Sequence, residues 1–272
     1  MKNLYIHIGL HKTGTTHLQN NIFPYIPDVS IIRGFDLHRK LIYVPANNDI
    51  LITDEGLSGK LWEGTYYQDF FNYAVKIKEL YLNPKIILGV RDQKKIIISL
   101  YKQYLHEGGS LSFNHFFNKH DTGIFKLKDF LFLPRIQYIK DNFDDVFLYS
   151  QESLKEREND FTNALLKFME IKSNILSQKK PKKFSNVGVS SQLQVNTLMK
   201  LNRFNKRLKN SLLPIDLYSS FYRKKNITPR DICQNHLKDL KSDEFKIKSE
   251  TYKFITDYYK EDWHNCIKLI SY

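Results

Sequence analysis

The sequence predicts an α/β protein: a parallel β-sheet flanked by helices. Apolar runs of strand length alternate with amphipathic stretches of helix length, and polar clusters close several of the strands. With 42 % hydrophobic residues over 272 positions, the chain can bury a sizeable core.

Asn3 to Gly9 alternates and then closes on a glycine, the pattern of a buried strand. A loop follows at His11 to Gly14, and a helix is predicted from Thr15 to Phe23. Asp49 to Thr53 is a second short strand, ending in Thr53-Asp54-Glu55-Gly56. Tyr66 to Leu82 has helical periodicity, and Asn83-Pro84 stops it. Lys85 to Val90 is a continuous apolar strand ending at Arg91-Asp92. Gln93 to His106 is amphipathic, with Ile96, Ile97, Leu100, Tyr104 and Leu105 as core positions, and Gly108-Gly109 closes it. Phe130 to Asn142 reads as a helix, Asp145 to Tyr149 as a fourth strand, and Asp160 to Met169, Ser191 to Leu208 and Ser249 to Ile270 as helices. Between them, Ser173 to Val189 is a loop rich in Lys, Ser and Asn, and Leu212 to Asp231 is an excursion. No internal repeat interrupts this order. We expect one domain over residues 1–272, with an α/β core at 1–172 and a basic loop and helical part at 173–272.

Charge divides the chain unevenly. Residues 1–150 carry 18 Lys and Arg against 15 Asp and Glu, whereas residues 151–272 carry 24 against 14, within a total of +13. Residues 173–230 hold 13 basic side chains and one acid, Asp216. Such a segment suits an anionic partner: a nucleotide phosphate, an acidic glycan or a membrane surface; a solvated basic face is the plainer alternative. The two cysteines, Cys233 and Cys266, have neither metal-ligand spacing nor a disulfide framework. No signal peptide and no apolar run of membrane-spanning length are read, so the expectation is a cytoplasmic protein, with peripheral membrane contact left open. Helix-turn-helix and zinc patterns are missing, and no nucleic-acid partner is expected.

The chemistry concentrates in Gly9-Leu10-His11-Lys12-Thr13-Gly14-Thr15-Thr16. A loop after a buried strand that opens a helix is where backbone N–H groups and the positive helix end gather around a phosphate. This is no Walker A loop, because Lys12 precedes Gly14 instead of following it, and that weakens an ATP-cleaving role. Arg91, at the end of a later strand, offers a planar fork suited to a terminal phosphate.

Lys-Thr-Gly-Thr-Thr directly after the first strand resembles the 5′-phosphosulfate loop of sulfotransferases that use 3′-phosphoadenosine 5′-phosphosulfate (PAPS). In that family an arginine, with a serine eight positions on, reaches the 3′-phosphate; Arg91 and Ser99 stand at that separation. Phe147 to Leu154 is similar to the family's strand and Glu-Asp-Leu-like turn, with Ser153 where an aspartate is common. Tyr258 to Ile270 resembles its closing acidic-aromatic helix. The family's Gly-rich nucleotide loop is absent, and Lys179 to Gly188 stands in its place. The resemblance implies a P-loop-like sulfotransferase fold and PAPS as donor, with adenosine 3′,5′-bisphosphate (PAP) as product and no metal. It assigns Lys12, Thr13, Gly14, Thr15, Thr16, Arg91 and Ser99 to the nucleotide, the core at 1–172 to donor binding, and 173–272 to completing both sites. The acceptor it suggests is a sugar or glycolipid hydroxyl, of bacterial carbohydrate-sulfotransferase type.

Sulfuryl transfer needs positive charge where negative charge develops on the leaving phosphate, which Lys12 can supply, and a base for the attacking hydroxyl. Glu55 is the first candidate, at the end of the second strand and resembling the glutamate near that place in carbohydrate sulfotransferases. His11, beside Lys12, is its rival, or else a donor to the sulfuryl oxygens. His7 lies within a strand and reads as a core residue, His17 as a packing or surface group; His106 and Glu107 could line an acceptor cleft or cap a helix. Two other functions stay open: a nucleotide-dependent phosphotransferase, and a non-catalytic module binding nucleotide or nucleic acid.

Overall fold

The strand β1 (Leu4–Gly9) runs through the middle of a five-stranded sheet. In the computed structural model, which describes residues 3–34, 48–172, 191–210, 233 and 243–271, it is flanked by β3 (Asp49–Thr53) and β4 (Lys85–Val90). The edges are β2 (Val29–Arg33) and β5 (Val146–Ser150), giving the order β2-β3-β1-β4-β5 with every pairing parallel. β1 is buried from Tyr5 to Gly9, so both of its faces are covered, as a parallel sheet requires. One face packs Tyr5, Leu51, Ile87, Phe147 and Tyr149 against Leu18, Phe161 and Leu165. These last belong to the helices α1 (Thr15–Asn21) and α7 (Glu158–Phe168).

The remaining helices of the same compact unit are α2 (Tyr66–Leu80), α5 (Leu133–Asn142), the short α6 (Gln151–Glu156) and the closing α9 (Ser249–Leu269), which enters it at Ile255. α2 and α5 touch one another and bury Phe70, Ala74, Ile77, Ile136 and Ile139. Arg135 of α5 is 1 % exposed, its guanidinium carbon 4.8 Å from the Tyr66 ring centre and 5.1 Å from that of Tyr67, so aromatic faces help to accommodate the buried cation. On α9, Asp262 accepts from the backbone N–H of Phe132 (3.0 Å) and Leu133 (3.1 Å), capping α5 from a distance, and from Gln93 Nε2 (2.7 Å).

Several boundaries differ from the sequence expectation. β2 was not expected: it is a partly buried edge strand, VSIIR, with neither a continuous apolar run nor strict alternation to make it stand out. α1 ends at Asn21 and passes into a 3₁₀ turn at Phe23–Tyr25, where Pro24 fits the first positions of a new turn but not a helix interior. The helix expected from Phe130 splits for the same reason: Leu127–Phe130 is 3₁₀, and α5 starts at Leu133 with Pro134 in its first turn. The turn expected after β5 is α6, whose N-cap Ser150 accepts from the Ser153 N–H at 3.0 Å.

The first unit comprises Met1–Ile96, Phe125–Lys183 and Ile255–Tyr272, and the second Ile97–Ile124 and Phe184–Phe254. The helix α3 (Gln93–His106) begins in the first. Within the second, the rest of α3, α4 (Phe113–Phe116) and α8 (Gln192–Asn210) surround an aromatic cluster of Tyr101, Phe113, Phe116 and Phe245. The buried tyrosine of α3 is Tyr101, in line with Ile97 and Leu105 at four-residue spacing. Tyr104, expected in the core, is only partly buried, and its hydroxyl accepts from the Ser110 and Leu111 N–H groups. Asn202 Nδ2 donates to the carbonyls of Leu105 (2.7 Å) and Gly109 (2.8 Å), satisfying the end of α3. The expected loops Ser173–Val189 and Leu212–Asp231, with Lys179–Gly188, lie outside the described residues.

Candidate active site

After β1 the chain turns toward β2 on one side of the sheet, and after β4 it continues to β5 on the other. The strand ends of β1 and β4 therefore border the crevice where ligands settle in open α/β sheets. The Leu10–Gly14 loop leaves one of these ends and Arg91-Asp92 the other.

The loop is held tightly. Leu10 N–H donates to the Gly89 carbonyl at 3.3 Å, and Thr13 donates to the Leu10 carbonyl through both its N–H and its hydroxyl. Lys12 and Gly14 take positive φ, 69° and 98°, which turns the chain sharply into α1. A side chain at Gly14 would be strained by that φ, and its Cβ, 2.8 Å from Leu154 Cδ2, would also require that leucine to shift. The first helical bond runs from Leu18 N–H to Gly14 O, so the N–H groups of the first turn have no intrahelical partner. Thr13 and Thr15 are buried and Thr16 is exposed.

Across the crevice, Arg91 Nη1 donates to the Lys12 carbonyl at 3.1 Å. The two motifs read separately in the sequence thus meet. Burial pushes the Arg91 guanidinium below its ordinary value, and the charges of Glu152 and Asp92 counteract this. Asp92 caps α3, its Oδ1 accepting from Lys94 N–H at 2.9 Å. Ser99 is half-buried on α3, within the second unit.

Beneath the loop runs a buried relay that the sequence reading did not identify. Gln19 Nε2 donates to Thr53 Oγ1 (3.1 Å), Thr53 Oγ1 lies 2.8 Å from His7 Nδ1, and His7 Nε2 lies 2.9 Å from the Tyr149 hydroxyl. Tyr149 in turn meets Thr13, whose hydroxyl is committed to the Leu10 carbonyl. One hydrogen-bond direction satisfies every member, and it requires neutral His7 with its proton on Nε2. Burial depresses the His7 value from 6.5 to about 3, in keeping with that form. His7 is a satisfied core residue, as its place in the strand suggested. Its partners come from β3 and β5, Gln19 of α1 extends the relay through Thr53, and only tertiary pairing brings them together.

Glu55 opens a 3₁₀ turn, Glu55–Ser58, that is capped by Asp54 accepting from the Gly56 N–H at 2.8 Å. Its Oε2 lies 3.4 Å from His11 Nδ1, and the glutamate side chain is 34 % exposed against 12 % for the histidine. The other ring nitrogen, His11 Nε2, donates to the Gly59 carbonyl at 3.2 Å. Burial alone would raise the Glu55 carboxyl, but hydrogen bonding by His11 and the charges of His11 and Lys12 bring it below its ordinary value. His11, Lys12 and Glu55 are thus gathered at the loop. His17 is occupied elsewhere: its Nε2 lies 2.8 Å from Glu158 Oε2, and Asn21 donates to its Nδ1 at 2.9 Å. His106 and Glu107 end α3 in the second unit.

Lys12, the first-turn N–H groups that the helix itself does not use and a Leu10–Thr16 loop without carboxylates form a donor set that fits an anionic phosphate. Among the described residues, no group of three His, Cys, Asp or Glu could hold a metal ion, and no helix is long and apolar enough to cross a membrane.

No protein-family model matches the sequence, and no curated protein matches it. Among solved structures the chain is similar to a sulfotransferase from Alicyclobacillus acidocaldarius, with a TM-score of 0.47 and 13 % identity, covering 63 % of this chain and 82 % of that one. It is also similar to mouse sulfotransferase SULT7A1 complexed with PAP, with a TM-score of 0.44 and 16 % identity, covering 68 % and 70 % of the two chains.

Proposed function

We propose that this chain is a sulfotransferase that moves the sulfuryl group of PAPS onto a hydroxyl of a carbohydrate or glycolipid by in-line displacement. The observation that carries the reading is the meeting of the loop and Arg91 across the β1–β4 crevice, through the 3.1 Å bond to the Lys12 carbonyl. Two cationic side chains from separate strand ends at one crevice suit a ligand with two anionic ends. The loop, through Lys12, Thr13, Gly14, Thr15 and Thr16, would hold the 5′-phosphosulfate, and Arg91 the 3′-phosphate, to which the family resemblance also assigns Ser99. When bound, the donor supplies an activated sulfuryl group and a phosphate leaving group. Lys12 steadies the charge that develops on that leaving group, and Glu55 takes the proton of the attacking hydroxyl. We read the chain as one sulfotransferase domain in the cytoplasm, its basic second half facing an acceptor that can itself be anionic.

A phosphotransferase is disfavoured because Lys12 precedes Gly14. A non-catalytic nucleotide-binding module predicts binding without turnover. Radiolabelled PAPS or ATP with pooled sugar acceptors separates the three: PAP release with a labelled sugar is expected, and cleavage of ATP in preference to PAPS would overturn the assignment. Lys12→Ala is expected to cost about a hundredfold in turnover, corresponding to about 3 kcal/mol in the transition state. An unchanged rate would remove Lys12 from the mechanism.

A further inference from the structure

The contact between His11 and Glu55 holds more than proximity. Because the Gly59 carbonyl can only accept, His11 Nε2 carries the hydrogen of their 3.2 Å bond. A neutral ring would then present the Nδ1 lone pair to Glu55 Oε2 at 3.4 Å, two acceptors facing one another. Nδ1 is buried and otherwise without a hydrogen-bond partner, so the 3.4 Å approach to Oε2, at ion-pair distance, is the contact open to it. The ring is not free to turn away: its centre lies 5.9 Å from that of Tyr66, and Gly59 is itself confined, since a Cβ there would fall 2.5 Å from the Tyr66 carbonyl. On the other side, the Glu55 backbone is fixed by Ser58 Oγ donating to its carbonyl at 2.7 Å.

We propose that one proton is held between His11 Nδ1 and Glu55 Oε2, and that His11 is thereby the positioning residue of Glu55 and not a base in its own right. The inference rests on the sulfotransferase reading for its catalytic meaning. An acceptor hydroxyl must reach its base, and the exposure favours the carboxylate, 34 % against 12 % for the ring. With Oε2 engaged by the shared proton, Oε1 is left as the proton acceptor. As the acceptor oxygen bonds to sulfur, its O–H bond breaks and the proton moves to Oε1; the sulfur–phosphate oxygen bond breaks with its electron pair leaving on the nucleotide phosphate. The other groups that act on the pair are Lys12 from the loop, His7 from β1, Asp54 from the end of β3, and the Tyr66 ring from α2. The Lys12 charge favours the ionised carboxylate, Asp54 opposes it, and His7 is neutral in its relay.

The two nitrogens of the ring can be tested separately. Asparagine places an amide nitrogen near the Nδ1 position, and glutamine near the Nε2 position. His11→Asn is expected to keep kcat within about tenfold of wild type, His11→Gln to lose about a hundredfold, and both to keep wild-type affinity for PAP. The reverse order would mean that the Gly59 anchor is what matters. Equal large losses together with an active Glu55→Gln would make His11 the base. Either result overturns the proposal. Failure of the sulfotransferase reading would show differently, as wild-type protein that neither binds PAP nor turns over PAPS. The shared proton remains testable in that event: the ¹⁵N shift of His11 Nδ1 at neutral pH, assigned by its loss in His11→Asn, should move in Glu55→Gln. An identical shift in the two proteins refutes the pairing.

Discussion

Replacing His7 by glutamine should flatten the acid side of the protein's stability profile. In the folded chain burial holds the ring value at about 3, whereas in the unfolded chain it returns to 6.5. Between those limits the unfolded chain binds one more proton than the folded one. The stability His7 permits is therefore complete above pH 6.5 and is lost progressively as the pH falls toward 3. Each pH unit in that window costs about 1.4 kcal/mol, so wild type should lose about 2 kcal/mol more than His7→Gln between pH 6.5 and 5. The other histidines are common to both proteins and cancel in the difference. Urea unfolding followed by tryptophan fluorescence is a suitable measure, because Trp62 and Trp263 both lie in the unit that contains the relay. Tyr149→Phe serves as the control: it removes the acceptor of the Nε2 proton and costs about 1–3 kcal/mol, yet it keeps the titrating ring and hence the slope. Parallel profiles for wild type and His7→Gln would refute the neutral, buried histidine and the direction of the relay derived from it.

Other substitutions probe the same architecture. Gly89→Ala would set a Cβ 2.4 Å from the Tyr149 hydroxyl and 3.0 Å from Thr13 Oγ1; a loss of about 1–3 kcal/mol in thermal unfolding is expected, with weaker PAP binding. Asp262→Asn substitutes one amide for a carboxylate that accepts from Gln93, Phe132 and Leu133, and should cost about 1–3 kcal/mol in the same measurement. Because His11 and Lys12 hold the Glu55 carboxyl below its ordinary value, the acid limb of kcat/KM should lie below the usual glutamate range and move upward in His11→Gln. A limb that stays in place would detach it from Glu55. Glu55→Gln should lose turnover while keeping PAP affinity, and equal loss of both would point to a structural role instead.

Much of the first unit was legible from local pattern. The apolar runs at Lys85–Val90 and Asp49–Thr53 are strands at the expected positions, and the parallel sheet expected from their alternation with helices is present. A short, half-exposed edge strand such as Val29–Arg33 has neither a continuous apolar run nor strict alternation, and so left no such mark. The Gly9–Thr16 loop was legible because its residue types are tied to one local geometry, a glycine-bearing turn from strand into helix.

What the chain order does not contain is adjacency across the sheet. Arg91 and the Lys12 carbonyl are 79 positions apart, and Tyr149 is 142 from His7; the β1–β4 and β4–β5 pairings bring them to hydrogen-bonding distance. The 48-residue gap between His11 and Gly59 likewise closes only when β3 lies beside β1. Periodicity and turn chemistry are properties of neighbouring residues, so they specify elements. Which nitrogen of a histidine bears a proton depends on partners delivered by strand register, and that was decided by the tertiary structure alone.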